Sequence, residues 1–395
     1  MKNGMKQFVL LTSATAMALT MVGCGTNMPG NFAAERTANF AAQAKPGEII
    51  VKFRSNAGRQ ALLQKLGLRT VKKVNRLDAI VVQGKNVKAA LAELNNDRAV
   101  EYAEPNFVAK AFQVQQPMPA IFDNDLLPKL WGLNKIEAPA AWALTKGGEK
   151  VTVAVVDTGI DYRHSEFGNR VAKGRDFINN DDDAMDDHYH GTHCAGSVGG
   201  ARTGVAPNVN MIAVKVLSRS GSGSYDGVAN GIIYAADQGA EVISMSLGGP
   251  AGSKVIEDAV NYAISKGSLV VAAMGNDNSE RPSYPASAPG VMAVGSTTVN
   301  DTRSSFSNYG KHISVSAPGS DIYSTVPGGG YKNLSGTSMA TPHVAGLVAL
   351  VKSQFPSLNA AGLQKKVEAA ADDHGDAGFD KYFGHGRINA LKAVK

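Results

Sequence analysis

The stretch VTVAVVDTGID, residues 151–161, decides the fold, because an unbroken apolar run ends in an aspartate followed by a glycine turn. Such a run is typical of a strand that is buried on both faces of a parallel sheet. Segments with helical periodicity separate further apolar runs, which lie at 209–216, 242–247, 269–273 and 291–295. We therefore predict an α/β domain with a doubly wound, mostly parallel sheet and helices on both faces.

A smaller pattern precedes this domain. Between residues 47 and 110, apolar strand and helix patterns alternate in the order β-α-β-β-α-β. This order is the split βαβ arrangement, which closes a small α+β domain by itself. We expect residues 111–128, which include Pro117 and Pro119, to form a linker and residues 129–395 to form the large domain.

The net charge of +6 is unevenly distributed along the 395 residues. Residues 25–112 carry 14 basic and 7 acidic side chains, whereas residues 113–395 carry 24 basic and 27 acidic ones. No basic run is interleaved with aromatic residues, so the composition argues against a nucleic-acid partner.

The first 24 residues have the form of an export signal, with lysines, an apolar stretch and small residues. The ending Met21-Val22-Gly23-Cys24 resembles a lipoprotein signal, in which Cys24 would carry the lipid, followed by a tether at 25–46. A plain secretory signal cleaved near Ala18 or Gly23 is the alternative. The apolar stretch is shorter than the ~20 residues that a membrane-spanning helix needs. We expect an outer-membrane or cell-surface lipoprotein precursor whose mature form is extracellular.

Three segments carry residues with catalytic chemistry. Asp157 ends the first apolar strand, His190 begins HGTHCAG (190–196), and Ser338 lies near the start of GTSMATPHVAG (336–346). A serine hydroxyl needs a neighbouring base to become a nucleophile, and histidine serves because it titrates near neutral pH. A buried carboxylate then fixes the imidazole and stabilises its charged form. The three residues together predict a catalytic triad.

Other functions are possible for the same residues. Asp186, Asp187, His188 and His190 could serve a metal-dependent hydrolase, and the fold could be retained as a binding scaffold. A chelator would abolish the first activity at once. The α/β-hydrolase nucleophile elbow is excluded, since Ala340 stands where its second glycine is required.

All three segments, and the closing stretch GHGRINA (384–390), resemble the subtilisin family, particularly its thermitase and proteinase K branches. The resemblance runs from Trp131 to the end of the chain. It implies a serine endopeptidase in which Asp157 orients His190, His190 acts as base and then acid, and Ser338 attacks the peptide carbonyl. His193 would be structural, and Cys194 a buried neighbour of the triad. The segment VVAAMGN (270–276) implies that Asn276 stabilises the oxyanion.

The resemblance also implies an extended cleft for a polypeptide substrate. An apolar S1 pocket would favour large apolar or aromatic P1 residues, and Ser283 stands at its floor where many relatives have glycine. The predicted substrate-binding residues are Gly221, Ser222, Gly223, Tyr225, Val228, Ser246, Leu247, Gly248, Ala273 and Gly275.

The densest acidic run, DFINNDDDAMDD at 176–187, is either a solvated loop or a calcium site. Alternating carboxylates and amides suit Ca²⁺, which takes 6–8 oxygen ligands, and the run resembles a thermitase calcium loop. We predict structural Ca²⁺ held by Asp176, Asn179, Asp181 and Asp183.

Residues 47–110 resemble the inhibitory prosegment of the family, which makes the chain its own intramolecular partner. We expect a monomeric precursor that cleaves itself between Ala109 and Ala120, with Phe112 as a candidate P1 residue. If the lipid is attached to Cys24, this cleavage would release the mature enzyme from the membrane.

Overall fold

The computed structural model describes residues 43–112 and 129–395, and these residues belong to one compact unit. Cys24 and the proposed signal and most of the tether and linker lie outside the described residues. Among the described helices, none is both long and apolar enough to cross a membrane.

The N-terminal part is a four-stranded antiparallel sheet with two helices, in the predicted order of elements. The elements are β1 (Ala44–Phe53), α1 (Arg59–Lys65), β2 (Arg69–Val74), β3 (Ala79–Gln83), α2 (Val87–Asn96) and β4 (Val100–Ala111). The strand order β4-β1-β3-β2 is that of a split βαβ domain. Its own core includes Ile49, Val51, Leu63 and Leu94, which are at most 1% exposed.

The large domain is built on a seven-stranded sheet with the order β13-β12-β11-β9-β5-β7-β6. Every pairing in it is parallel, which confirms the predicted fold class. Its strands are β5 (Thr152–Asp157), β6 (Val171–Asp176), β7 (Asn210–Lys215), β9 (Val242–Met245), β11 (Leu269–Ala273), β12 (Met292–Thr297) and β13 (Ile313–Pro318). Shorter strands at its margins are β8 (Ser222–Ser224), β10 (Leu247–Gly248), β14 (Ile322–Val326) and β15 (Gly330–Leu334).

Helices connect and cover these strands. They are α3 (Trp131–Lys135), α4 (Ala138–Ala141), α5 (His190–Gly199), α6 (Tyr225–Asp237), α7 (Lys254–Ser265), α8 (Thr337–Gln354), α9 (Ala360–Ala369) and α10 (Ala390–Val394). Helices α5 and α8 carry small and apolar residues on all sides because they run through the protein core, where nearly every residue is buried.

Strand β4 extends further than the sequence pattern predicted. The strand pattern of the sequence ends at Pro105, but β4 continues to Ala111 and pairs with β8 and β10 of the large domain. The added residues form a strand because both of its neighbours offer backbone hydrogen bonds. The tail of the small domain thereby lies in a groove of the large one.

Candidate active site

Asp157 and His190 meet at the centre of the sheet edge. Asp157 is the last residue of β5 and His190 the first of α5, so the carboxyl end of a strand faces the start of a helix. His190 Nδ1 lies 2.8 Å from Asp157 Oδ1, and both side chains are fully buried. Burial alone would lower the pKa of His190, but the Asp157 carboxylate raises it well above its usual value.

Ser338 lies in the first turn of α8, next to this pair. Its Oγ donates to the carbonyl oxygen of Ser246 at 2.8 Å. His190 Nε2 is buried and has no hydrogen-bond partner among the described residues.

A proline explains the contacts of the Ser338 carbonyl. Pro342 has no N–H, so the Ser338 carbonyl four residues earlier lacks the donor that a helix normally supplies. Ser246 Oγ donates to this carbonyl at 2.8 Å, and the thiol of Cys194 does so at 3.5 Å. Two side chains from other elements thus hold the start of α8 in place.

Asn276 follows β11, and hydrogen bonds to its side-chain oxygen fix its orientation. Its Oδ1 accepts hydrogen bonds from the backbone N–H and the hydroxyl of Thr337, both at 2.9 Å. Its amide nitrogen is buried without a partner among the described residues. Since Thr337 directly precedes Ser338, an unpaired N–H donor is kept beside the serine. Sequence reasoning missed Thr337, although it stands inside the serine motif.

The chain's own strand β4 occupies the groove that leads to Ser338. It pairs antiparallel with β8 through Val108 and Ser224, and with β10 through Ala111 and Leu247. Beyond it, the N–H of Phe112 donates to the Ser246 carbonyl at 3.2 Å, the carbonyl to which Ser338 is also bonded. A polypeptide therefore lies along the groove with one residue next to the serine.

The ring of Phe112 fills a pocket with glycine walls. A methyl group at Gly248 would lie 2.7 Å from Phe112 Cε2, and one at Gly275 would lie 3.8 Å from its Cζ. Ser283 Oγ is also 2.7 Å from the position of a methyl group at Gly248. The absence of side chains at the two glycines leaves room for an aromatic ring.

A second apolar contact lies further along the same strand. The ring of Phe107 packs edge-on against Tyr225, with centroids 5.7 Å apart. Ala109, which follows Phe107 on the same strand, is 1% exposed. Val228 is buried one turn along α6 from Tyr225. The carbonyl of Gly221 accepts the N–H of Ala111 at 2.9 Å. Most of the predicted substrate-binding residues are thus brought together around β4, and Ala273 is buried at the end of β11.

Two protein-family models match parts of this chain. The model of the subtilase family matches residues 148–386, and that of the fervidolysin N-terminal prodomain matches residues 31–106. The chain belongs to the subtilase family. It is a subtilisin-like serine endopeptidase with an N-terminal prosegment.

Individual relatives resemble both parts of the protease. A thermophilic serine proteinase of Bacillus sp. (strain AK1) is 43% identical over 362 residues, which cover 88% of this chain and 87% of the relative. Thermitase of Thermoactinomyces vulgaris is 49% identical over 272 residues, 67% of this chain and 95% of its own. The crystal structure of fervidolysin from Fervidobacterium pennivorans, a keratinolytic enzyme related to subtilisin, superposes with a TM-score of 0.79 at 26% identity. That match covers 89% of this chain and 61% of fervidolysin.

The acidic loop follows β6 in this protease. Asp176 Oδ1 accepts the N–H groups of Ile178 and Asn179, and its Oδ2 accepts the side-chain amide of Asn179 at 2.9 Å. Asp181 Oδ1 accepts the N–H of Asp183 at 3.0 Å. The carboxylate and amide oxygens are ligand types that suit Ca²⁺. In this structure the carboxylates of Asp176 and Asp181 accept hydrogen bonds from N–H groups of the loop itself.

The residues of the alternative metal-hydrolase hypothesis serve other contacts. Asp187 pairs with the buried ammonium of Lys215 at 2.6 Å, and Asp186 accepts five hydrogen bonds from protein donors. Within the described ranges, one group of three potential metal ligands has its ligand atoms within 4.8 Å of one another. It consists of Asp157, His190 and Cys194. That cluster is the proposed triad pair with its neighbouring thiol.

His193 and Cys194 have the surroundings of structural residues. Burial lowers the pKa of His193 to about 3, and its Nε2 lies 3.0 Å from the carbonyls of Ile322 and Lys332. Cys194 is a free, buried thiol 4.0 Å from His190 Nδ1. Burial raises the pKa of this thiol, which keeps it protonated and unreactive at neutral pH.

Proposed function

We propose that this chain is the precursor of a secreted endopeptidase that cleaves polypeptides through the triad Asp157, His190 and Ser338. The observation that supports this most is the position of Phe112. Its N–H donates a hydrogen bond to the Ser246 carbonyl, which also accepts the Ser338 hydroxyl. A peptide bond is thereby presented to the serine by the chain's own strand.

The proposed mechanism follows from the contacts of each side chain. Ser338 Oγ gives its proton to His190 Nε2 and attacks the carbonyl carbon of the P1 residue, while Asp157 holds the imidazole through Nδ1. The imidazolium then protonates the leaving amine, and an acyl-enzyme remains. Water, activated by the same imidazole, hydrolyses the acyl-enzyme and releases the acid.

The negative charge that develops on the carbonyl oxygen needs donors that are already in place. The side-chain nitrogen of Asn276 has no partner in the part of the chain that the structure describes, and the backbone N–H of Ser338 lies in a first helical turn, where intrahelical acceptors are missing. We propose these two groups as the oxyanion hole. Loss of one such donor costs about 10²–10³-fold in turnover, a value measured on subtilisin itself.

Substrate preference would follow from the subsites that the residues of the prosegment tail occupy. With Phe112 in S1, Ala111 beside Leu247 occupies S2, and the buried Ala109, which pairs with Gly223, occupies S4. We therefore propose broad specificity with apolar or aromatic P1 and small P2 and P4 residues. Peptides that differ only at P1 test this: phenylalanine should exceed aspartate and lysine in kcat/KM, and a preference for charged P1 would contradict it.

We propose that maturation is self-cleavage after Phe112, within the expected window of 109–120. The wild-type chain should yield a mature N-terminus at Gln113, and the Ser338→Ala chain should remain uncleaved at 41.2 kDa minus its signal. N-terminal mass spectrometry on both proteins measures this. Cleavage of the variant at the same bond by itself would contradict the proposal.

We propose structural Ca²⁺ at the acidic loop, with Asp176, Asn179, Asp181 and Asp183 as ligands. Bound calcium would neutralise the repulsion among these carboxylates and stabilise the loop. A chelator should lower the heat-inactivation temperature of the wild type but not of Asp181→Ala. Equal decreases in both proteins would remove the site.

We also propose export as a lipoprotein precursor, with lipid on Cys24 and release of the mature enzyme by self-cleavage. The Ser338→Ala chain should stay in the membrane fraction, whereas the mature wild-type enzyme should appear outside the cell without lipid. Mature enzyme that still carries the lipid would contradict this proposal.

A further inference from the structure

Asp186 lies four residues before His190, and its carboxylate accepts several hydrogen bonds. It is 6% exposed. Its Oδ1 accepts the hydroxyl of Thr158 at 2.9 Å and the N–H groups of His188 and Tyr189 at 2.9 and 3.1 Å. Its Oδ2 accepts the N–H and the hydroxyl of Thr192 at 2.9 and 2.6 Å.

These donors come from both sides of the triad pair. Thr158 directly follows Asp157, and Thr192 lies in the first turn of α5, two residues after His190. Thr158 Oγ1 also accepts the N–H of Gly191 at 2.9 Å. The end of β5 and the start of α5 are therefore joined by one hydroxyl and one carboxylate.

The backbone between Asp186 and His190 requires such support. Tyr189 has φ 153°, outside the conformations that a tyrosine prefers. A strained residue persists only where its surroundings fix it. The Tyr189 N–H is one of the donors to Asp186, so the carboxylate stabilises the strained turn that precedes His190.

A carboxylate at this position also suits the helix. The first N–H groups of α5 have no acceptor within the helix, and its N-terminus carries partial positive charge. Asp186 accepts the N–H of Thr192 there, which a neutral apolar residue could not do.

We propose that Asp186 and Thr158 form a positioning pair that holds His190 Nδ1 at hydrogen-bond distance from Asp157. Neither side chain touches the substrate, so both act through His190. The proposal rests on the proposed triad. It also gives the sequence Asp186-Asp187-His188 a role other than metal binding.

Thr158→Val tests the pair with little change in volume. It removes the donor to Asp186 and the acceptor of Gly191, while Thr158→Ser retains the hydroxyl and is the matched control. The readout is the rate at which a fluorophosphonate labels Ser338 in the folded protein, measured from low to high pH. Misplacement of a catalytic group by about 1 Å costs roughly 10²-fold in rate. We expect labelling by Thr158→Val to slow by about that factor, with its acid limb shifted to lower pH, and Thr158→Ser to restore both.

The outcomes separate this inference from the proposed function. If the wild type is not labelled at Ser338, the triad itself is wrong. If the wild type is labelled and folded Thr158→Val is labelled within twofold of its rate with the same pH profile, the positioning pair is wrong. Should Thr158→Val fail to fold, Thr192→Val against Thr192→Ser removes a donor to the other oxygen of Asp186, under the same criterion.

Discussion

At the scale of single residues, the site depends on which polar atoms are paired and which are left free. Asp157 Oδ1 lies 2.8 Å from His190 Nδ1, and Asn276 Oδ1 accepts the Thr337 hydroxyl, whereas His190 Nε2 and the Asn276 amide nitrogen have no partners among the described residues. Unpaired buried groups cost free energy, about 1–3 kcal/mol each, and persist where function requires them. The serine therefore has a base and an oxyanion donor available on two sides.

The raised pKa of His190 sets a pH dependence. His190 must be neutral to act as a base, and the Asp157 carboxylate keeps it protonated to a higher pH than usual, so kcat/KM should rise with pH beyond the ordinary histidine range. Asp157→Asn should shift that acid limb to lower pH and reduce kcat by about 10⁴-fold, as in other serine triads. Asp182→Asn, at an exposed ion pair, is the control and should change neither. An unshifted acid limb in Asp157→Asn would contradict the assignment.

In the proposed S1 pocket, Gly248 is expected to limit the size of the P1 residue. Because a methyl group there would lie 2.7 Å from both the Phe112 ring and Ser283 Oγ, Gly248→Ala overfills the pocket. Overpacking costs about 1–3 kcal/mol, so kcat/KM for phenylalanine at P1 should fall by roughly 10-fold or more, and that for alanine much less. Gly148→Ala, where a methyl group meets nothing within 4 Å, is the control. Equal losses for both substrates would contradict the proposed S1 pocket.

At the scale of elements, the sequence predicted what depends on local pattern. The parallel strands, the split βαβ domain and the motif residues followed from apolar runs and long motifs. The second half of β4 could not be predicted, since its partners β8 and β10 lie far along the chain. Thr337 was missed as a site residue, and Asp186 was considered only as a metal ligand, because the contacts of both depend on which atoms meet in the folded chain.

Glu104 links β4 to the start of α7. Its carboxylate accepts the Ser253 hydroxyl at 2.7 Å and the N–H groups of Lys254 and Val255 at 2.8 and 3.1 Å. Hydrogen bonds to a charged group contribute about 1.5–3 kcal/mol, so Glu104→Gln should weaken inhibition by added prosegment about 10-fold or more. Glu101→Gln, whose partner Lys52 lies in the prosegment, is the matched control. Inhibition constants of the two prosegment variants check this, and equal values would contradict it.

At the scale of the whole molecule, the uneven charge along the sequence corresponds to ion pairs between the prosegment and the protease domain. Three basic prosegment residues pair with acids of the protease domain: Lys52 with Asp258 at 3.0 Å, Lys72 with Asp226 at 3.4 Å and Arg76 with Asp237 at 3.1 Å. Asp226 is 2% exposed and also accepts the amide of Asn106. The basic prosegment and the mildly acidic protease domain are therefore complementary.

Salt should weaken this association. The Debye screening length shortens to about 3 Å at 1 M ionic strength. The inhibition constant of the prosegment should therefore rise when NaCl is raised from about 0.1 to 1 M. Lys72→Glu should weaken inhibition and flatten the salt dependence, since it places a like charge beside Asp226. Lys65→Glu, which changes the same net charge near Glu93 within the prosegment, is the control. A salt-independent inhibition constant in the wild type would contradict the electrostatic account.

Identification of the nucleophile tests the proposed catalytic triad most directly. The purified chain is treated with a fluorophosphonate probe, and the labelled peptide is sequenced by mass spectrometry, with Ser338→Ala as the comparison. If Ser338 is the nucleophile, the wild type carries a single label on Ser338 and the variant carries none. A folded, processed wild-type protein that takes no label, or that takes it on another residue, would contradict it.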